Sequence, residues 1–137
     1  MPEEKDITYK NLSLKINSEF NYLEVLIDDI NFSNQETFIT SVSAMLEYAL
    51  SIHPKYIILN KLDSKFEIKP ELYSFTRKNI ITPLKFDGLK KIICLVTKVD
   101  YEQRYKAIEN VEPFIKGLMT KTDAIKWIAE NHWKLNI

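Results

Sequence analysis

Residues 56–72, YIILNKLDSKFEIKPEL, pass through three regimes in quick succession. Tyr56 to Asn60 is a short apolar run without alternation, the pattern of a strand covered on both faces. A polar loop holding Asp63 and Ser64 follows. Pro70 then opens a helical pattern, at the first helical position, where a missing N–H costs nothing. Strand, loop and helix in that order form the repeating unit of a parallel α/β sheet, whose functional groups gather on loops at the carboxyl ends of strands.

The same grammar extends in both directions. Upstream, LSLKIN (12–17) alternates Leu12, Leu14 and Ile16 with polar residues, and YLEVLIDDI (22–30) is a second β-type run, so the pair reads as a hairpin turning at Ser18 to Asn21. In residues 33–53, Ser33 and Glu36 match a capping box, and Phe38, Val42, Met45, Ala49 and Ile52 recur at helical spacing. That helix ends at His53-Pro54, because the residue before a proline is pushed out of the α region. Downstream, Leu72, Phe75 and Asn79/Ile80 carry a second helix to Pro83, and the turn at Asp87-Gly88 leads into a buried strand at 91–97. A polar helix over 101–110, a short strand over 114–118 and a terminal helix over 120–133 complete the chain. Thr120 and Asp123 resemble a cap for that last helix, with Ala124, Trp127 and Ile128 on one side. The order β-β-α-β-α-β-α-β-α predicts an α/β fold: a mixed sheet with a leading antiparallel hairpin, then right-handed βαβ units, and about four helices. The 137 residues read as one domain, with residues 1–8 expected to fray.

Composition narrows the function classes. Hydrophobic residues make up 45% of the chain and charged residues 28%, which supports a real core. The 19 Lys+Arg balance 19 Asp+Glu, and only Arg77 and Arg104 offer a planar guanidinium, so a nucleic-acid partner is not expected. The opening MPEEKDITYK lacks a basic and apolar leader pattern, and no apolar run approaches the roughly 20 residues of a membrane span, so the expected location is cytoplasmic. Cys94 lies within IICLV and reads as a small core residue.

No motif carries a specific chemistry. Gly88 and Gly117 are the only glycines, too few for the loops that cradle nucleotide phosphates, and no other cofactor is called for. His53 and His132 lie on different helices without metal-ligand spacing. Ser64 with Asp63 and His53 lacks the nucleophile elbow of a hydrolase. Asp28 and Asp29 are adjacent strand-end residues whose side chains point apart, which suits solvation better than paired catalysis. Tyr101, Arg104 and Tyr105 suit either an interface or a half-exposed helix. Trp127 reads first as the anchor of its helix. The sequence therefore predicts no catalytic, cofactor-binding or metal residues.

The order of elements, the strand YIILN with its polar loop and the helix KPELYSF, the strand KIICLV and the ending LMTKTDAIKWI together resemble the SpoIIAA-like branch of the STAS superfamily. The terminal signature A-x-x-W-[LI] falls on Ala124, Trp127 and Ile128. The resemblance spans roughly residues 10–130 and implies a non-catalytic regulatory module that binds a protein partner. It also implies a phosphorylated serine at a helix start in a D-S-[ST]-G context, and here Lys69 and Pro70 occupy that place, so the acceptor is missing. SEC14-like relatives imply a different role, that of holding a lipid or small apolar ligand. Candidate partner or ligand residues are Asp63, Ser64, Phe66, Tyr73, Phe75, Arg77 and Trp127. An exposed edge in the amino-terminal hairpin is where a second copy would pair to form a homodimer.

Overall fold

Lys10 and Asn11 both take positive φ, 47° and 70°, and so close a two-residue turn between paired Tyr9 and Leu12. Two consecutive left-handed residues match the right-handed twist of the flanking strands, which is why such turns make tight hairpins. In the computed structural model, which describes residues 3–135, this turn joins β1 (Lys5–Tyr9) to β2 (Leu12–Asn17). The start of the chain is therefore a strand from Lys5 onward rather than a frayed end; Met1 and Pro2 lie outside the described residues. Ile7 and Tyr9 pack against the core and supply the reason.

The remaining elements are β3 (Tyr22–Leu26), α1 (Gln35–Ile52), β4 (Tyr56–Asn60), α2 (70–86), β5 (Lys91–Leu95), α3 (98–111), β6 (Ile115–Leu118) and α4 (Lys121–Leu135). All six strands form one mixed sheet in chain order, with β1, β2 and β3 antiparallel and β3 to β6 parallel. The α/β class and the mixed sheet agree with expectation. Four parallel strands laid down in one direction, with right-handed crossovers, send α1, α2 and α3 to the same face. One core accordingly joins these three helices to the sheet, and a smaller core lies under α4 on the other face, around Tyr56, Ile58, Ile93 and Ile128. The sheet's edge strands are β1 and β6, so at the amino-terminal side the edge is β1 rather than the β2–β3 hairpin.

Local chemistry displaces some boundaries. Asn34, not Ser33, caps α1: its side chain accepts from the Thr37 N–H at 2.9 Å, and the Thr37 hydroxyl accepts from the Asn34 N–H at 3.0 Å. Thr37 thus takes the part expected of Glu36. His53 ends the helix in a left-handed conformation, with φ 54°. Helix α2 runs through Pro83 to Phe86, because the turn before it widens to π geometry over Arg77–Ile81. Thr82 N–H reaches back five residues to the Arg77 carbonyl, which removes the collision a proline ring would make in a regular helix. Thr120 caps α4 as expected, accepting from Asp123 N–H at 3.0 Å.

Two close contacts tie the layers together. Gly117 in β6 lets α3 approach, since a Cβ there would stand 2.8 Å from the Tyr101 ring. On the α4 face, Glu24 in β3 is 1% exposed and faces Lys121 at 2.6 Å and Asn60 at 3.1 Å. Lys121 also reaches Glu4 at 2.7 Å, and Glu4 accepts from the Tyr22 hydroxyl. Among the described residues no helix is long and apolar enough to cross a membrane.

Candidate functional site

The loop after β4 is pinned at both sides. Beyond Asn60 the chain turns, with Lys61 N–H donating to the Leu95 carbonyl at 3.0 Å and Ser64 N–H to the Lys61 carbonyl at 3.1 Å. The Ser64 hydroxyl and the Lys65 N–H both donate to Asp29 Oδ1 at 3.1 Å, and Ser64 Oγ accepts from Phe66 N–H. Asp28 closes its own turn by accepting from Ile30 and Asn31 N–H groups, so the two neighbouring carboxylates do separate structural jobs. On the other side Glu67 pairs with Arg104 of α3 at 2.5 Å, and Arg104 also pairs with Asp100 at 2.8 Å. The loop is a strap between β3 and α3, and its Phe66 ring stacks on Phe38 of α1 at 5.5 Å.

Beneath this strap lies a partly open cavity of about 240 Å³, bordered by α1, α2, α3 and the sheet. Phe66 and Ile68 reach it from the strap, Tyr73, Arg77 and Ile80 from α2, and Ile108 from α3. Its surface is overwhelmingly apolar. The two widened helical turns, Arg77–Ile81 and Tyr101–Tyr105, belong to the helices that flank it, and such turns are frequent beside functional sites. A more open and more polar cleft of about 550 Å³ lies outside the strap, between residues 65–72 and the start of α1.

One polar group of the cavity wall lies at the carboxyl end of the strands, where Lys61 follows β4. Lys61 Nζ donates to the Tyr105 hydroxyl at 3.1 Å, and both residues belong to the wall. Cys94 stands beside them; burial pushes its thiol up to about 12, with Lys61 and Tyr105 acting in the opposite direction. Burial likewise raises the Tyr105 phenol. Near neutral pH both groups keep their protons.

Of the residues singled out in the sequence, Phe66, Tyr73 and Arg77 meet at this cavity. Asp63 is exposed at the tip of the strap, and Ser64 anchors the strap through Asp29. Phe75 packs against the core without reaching the cavity wall. Trp127 lies across the sheet, edge-on to Tyr56 with ring centroids 6.2 Å apart. It therefore cannot share a ligand with Phe66, because four parallel strands separate them. Sequence reasoning missed Lys61, for which the available signal was a lysine placed directly after a strand buried on both faces, and it read Tyr105 as an interface or half-exposed residue, whereas Tyr105 is buried in the cavity wall.

Neither histidine borders the cavity. His53 Nδ1 stands 2.8 Å from Asp87 Oδ2, with the imidazole side chain 64% exposed and away from the cavity wall. Among the described residues no three His, Cys, Asp or Glu side chains are grouped to hold a metal ion. No protein-family profile, no curated protein and no solved structure matches the chain.

Proposed function

We propose that this chain is a non-catalytic binding module of the SpoIIAA-like STAS type, working in the cytoplasm, and that it holds a small apolar ligand between α2, α3 and the sheet. The observation that carries the reading is the cavity of about 240 Å³ with its apolar wall. Cavities of about 150 Å³ accommodate a benzene ring, so this one suits a ligand of about ten non-hydrogen atoms. Binding without chemistry fits the ionisable neighbours: a thiol pushed up to about 12 and a phenol raised by burial are neither bases nor nucleophiles near neutrality.

A partner protein is the second reading, and it has its own support. Tyr73 is 53% exposed, and Arg77 is also exposed one helical turn further along. Tyrosine and arginine are the residue types that most often anchor interfaces. Both also border the cavity, so a ligand inside and a protein outside would share a wall.

Native mass spectrometry after incubation with straight-chain alcohols of about four to about twelve carbons tests the first reading. One adduct per chain is expected, strongest near about eight to about ten carbons. It is expected to vanish in Val42→Phe, which places a ring in the cavity. Absence of an adduct at every length, in protein that retains its folded circular dichroism, contradicts the reading.

A further inference from the structure

We infer that the ligand is a monocarboxylic acid of about ten non-hydrogen atoms, its carboxylate held by Lys61 and its apolar body filling the cavity between α2 and α3. This rests on the cavity reading above and gives it a chemical class.

Lys61 is the polar feature that an apolar cavity does not need. Its side chain is 12% exposed, so the ammonium has been taken largely out of water. An ammonium has three donors, and here one goes to the Tyr105 hydroxyl at 3.1 Å. Asp100 Oδ2 stands at 4.0 Å, beyond hydrogen-bond reach, and the same carboxylate is already taken by Arg104 at 2.8 Å. A charge withdrawn from water and incompletely paired favours an added anion.

The rest of the wall points the same way. Its charged members are Lys61, Arg77 and Glu112, and Glu112 is engaged by Lys85 at 3.3 Å. Arg77 is exposed at the rim. The uncompensated charge is positive, which disfavours a cationic ligand. The size of the polar end selects among anions. One ammonium and one phenol hydroxyl match the two oxygens of a carboxylate, whereas a phosphate dianion would leave several oxygens facing hydrocarbon. The Tyr105 hydroxyl accepts from Lys61 and has the Cys94 thiol as its other close neighbour, a weak acceptor that an incoming carboxylate oxygen would displace. The opposite end of the cavity, toward Ile108, Val111 and Ile115, is hydrocarbon apart from Glu112, whose carboxylate is held by Lys85 at 3.3 Å, and takes the tail.

Isothermal titration of the full chain with octanoate and, separately, with 1-octanol tests this. The acid is expected to bind at least about tenfold more tightly, the usual scale of one charge-assisted hydrogen bond. In Lys61→Met that preference is expected to collapse to within about threefold while octanol affinity is kept, and Lys61→Arg is expected to restore part of it. Thermal unfolding of each variant shows that it is folded. Equal binding of the two probes by the unaltered chain overturns the carboxylate assignment and leaves the cavity reading standing. Binding of neither overturns both. A preference that survives Lys61→Met, or an equal loss of both probes in that variant, removes Lys61 from the role.

Discussion

Glu67 of the strap and Arg104 of α3 meet at 2.5 Å, with Phe66 and Ile68 on either side of Glu67 turned to the cavity wall. The pair thus fastens the two side chains that roof the cavity, although it lies at the surface, with Glu67 60% and Arg104 39% exposed.

Arg104→Ala should therefore leave global stability within about 1 kcal/mol, the ordinary worth of an exposed ion pair. The strap should loosen instead. Amide hydrogen exchange over residues 61–69 is expected to quicken by up to about fivefold while the exchange of β4 and β5 stays unchanged. An equal change across the sheet would show that the pair supports the whole fold rather than the roof.

Gly117→Ala should cost about 1–3 kcal/mol by overpacking, since the added methyl meets the Tyr101 ring at 2.8 Å and Tyr105 Cβ at 3.1 Å. Denaturant titration is the measure. The midpoint should fall, and recovery in Gly117→Ala combined with Tyr101→Leu would locate the conflict in that ring.

Lys121→Met strands the Glu24 carboxylate inside the sheet, with Asn60 as its remaining described partner. Removing one partner of a buried pair makes the expected loss about 3 kcal/mol, or on the order of 10 °C in Tm. Adding Glu24→Gln should recover most of it. The unaltered chain also carries a pH signature. Burial works to raise Glu4, but the hydrogen bonds from Lys121 and Tyr22 outweigh it and hold this carboxyl below its ordinary value. Burial works to lower Lys121, but the carboxylates of Glu24 and Glu4 raise it. The Glu4 contribution is present above the unfolded carboxylate value of about 4.3 and is lost as pH falls through its lower folded value. The Lys121 contribution is present below about 10.4 and is lost as pH rises through its higher folded value. The difference in Tm between the unaltered chain and Lys121→Met should accordingly form a plateau between these limits and shrink on both sides.

Cys94 should resist alkylation. With the thiol pushed up to about 12, about one molecule in ten thousand carries a thiolate at pH 8. Iodoacetamide should label the native protein negligibly and the denatured protein fully, as read by intact mass. Rapid labelling of folded protein would mean that the cavity floor opens to water.

Much of the fold was legible because local and tertiary signals agree. The strand Tyr56–Asn60, the helix start at Pro70 and the cap at Thr120 each have a local cause that packing reinforces. Where the reading failed, a local signal was weak or a neighbour overrode it. The β1–β2 turn uses Lys10-Asn11, which lacks the glycine that marks most such turns, so Lys5 to Thr8 passed for part of a loose end. Pro83 should stop a helix, yet the widened turn before it carries α2 onward. The site was only half legible. Phe66, Tyr73 and Arg77 flank the loop and could be suspected from position, but Trp127 belongs to the other face. Which face α4 covers depends on the whole topology, and so does the meeting of Lys61 with Tyr105 across 44 residues.

The most direct test of the account is carbon-13 methyl NMR of the isoleucines during titration with octanoate. Ile80, Ile81, Ile92, Ile108 and Ile115 border the cavity, whereas Ile58 and Ile93 of the sheet pack with Ile125 and Ile128 of α4 on the opposite face. A ligand seated in the cavity gives saturable shifts confined to the first group. Shifts centred on the second group, or no saturable shift in either, would contradict that placement.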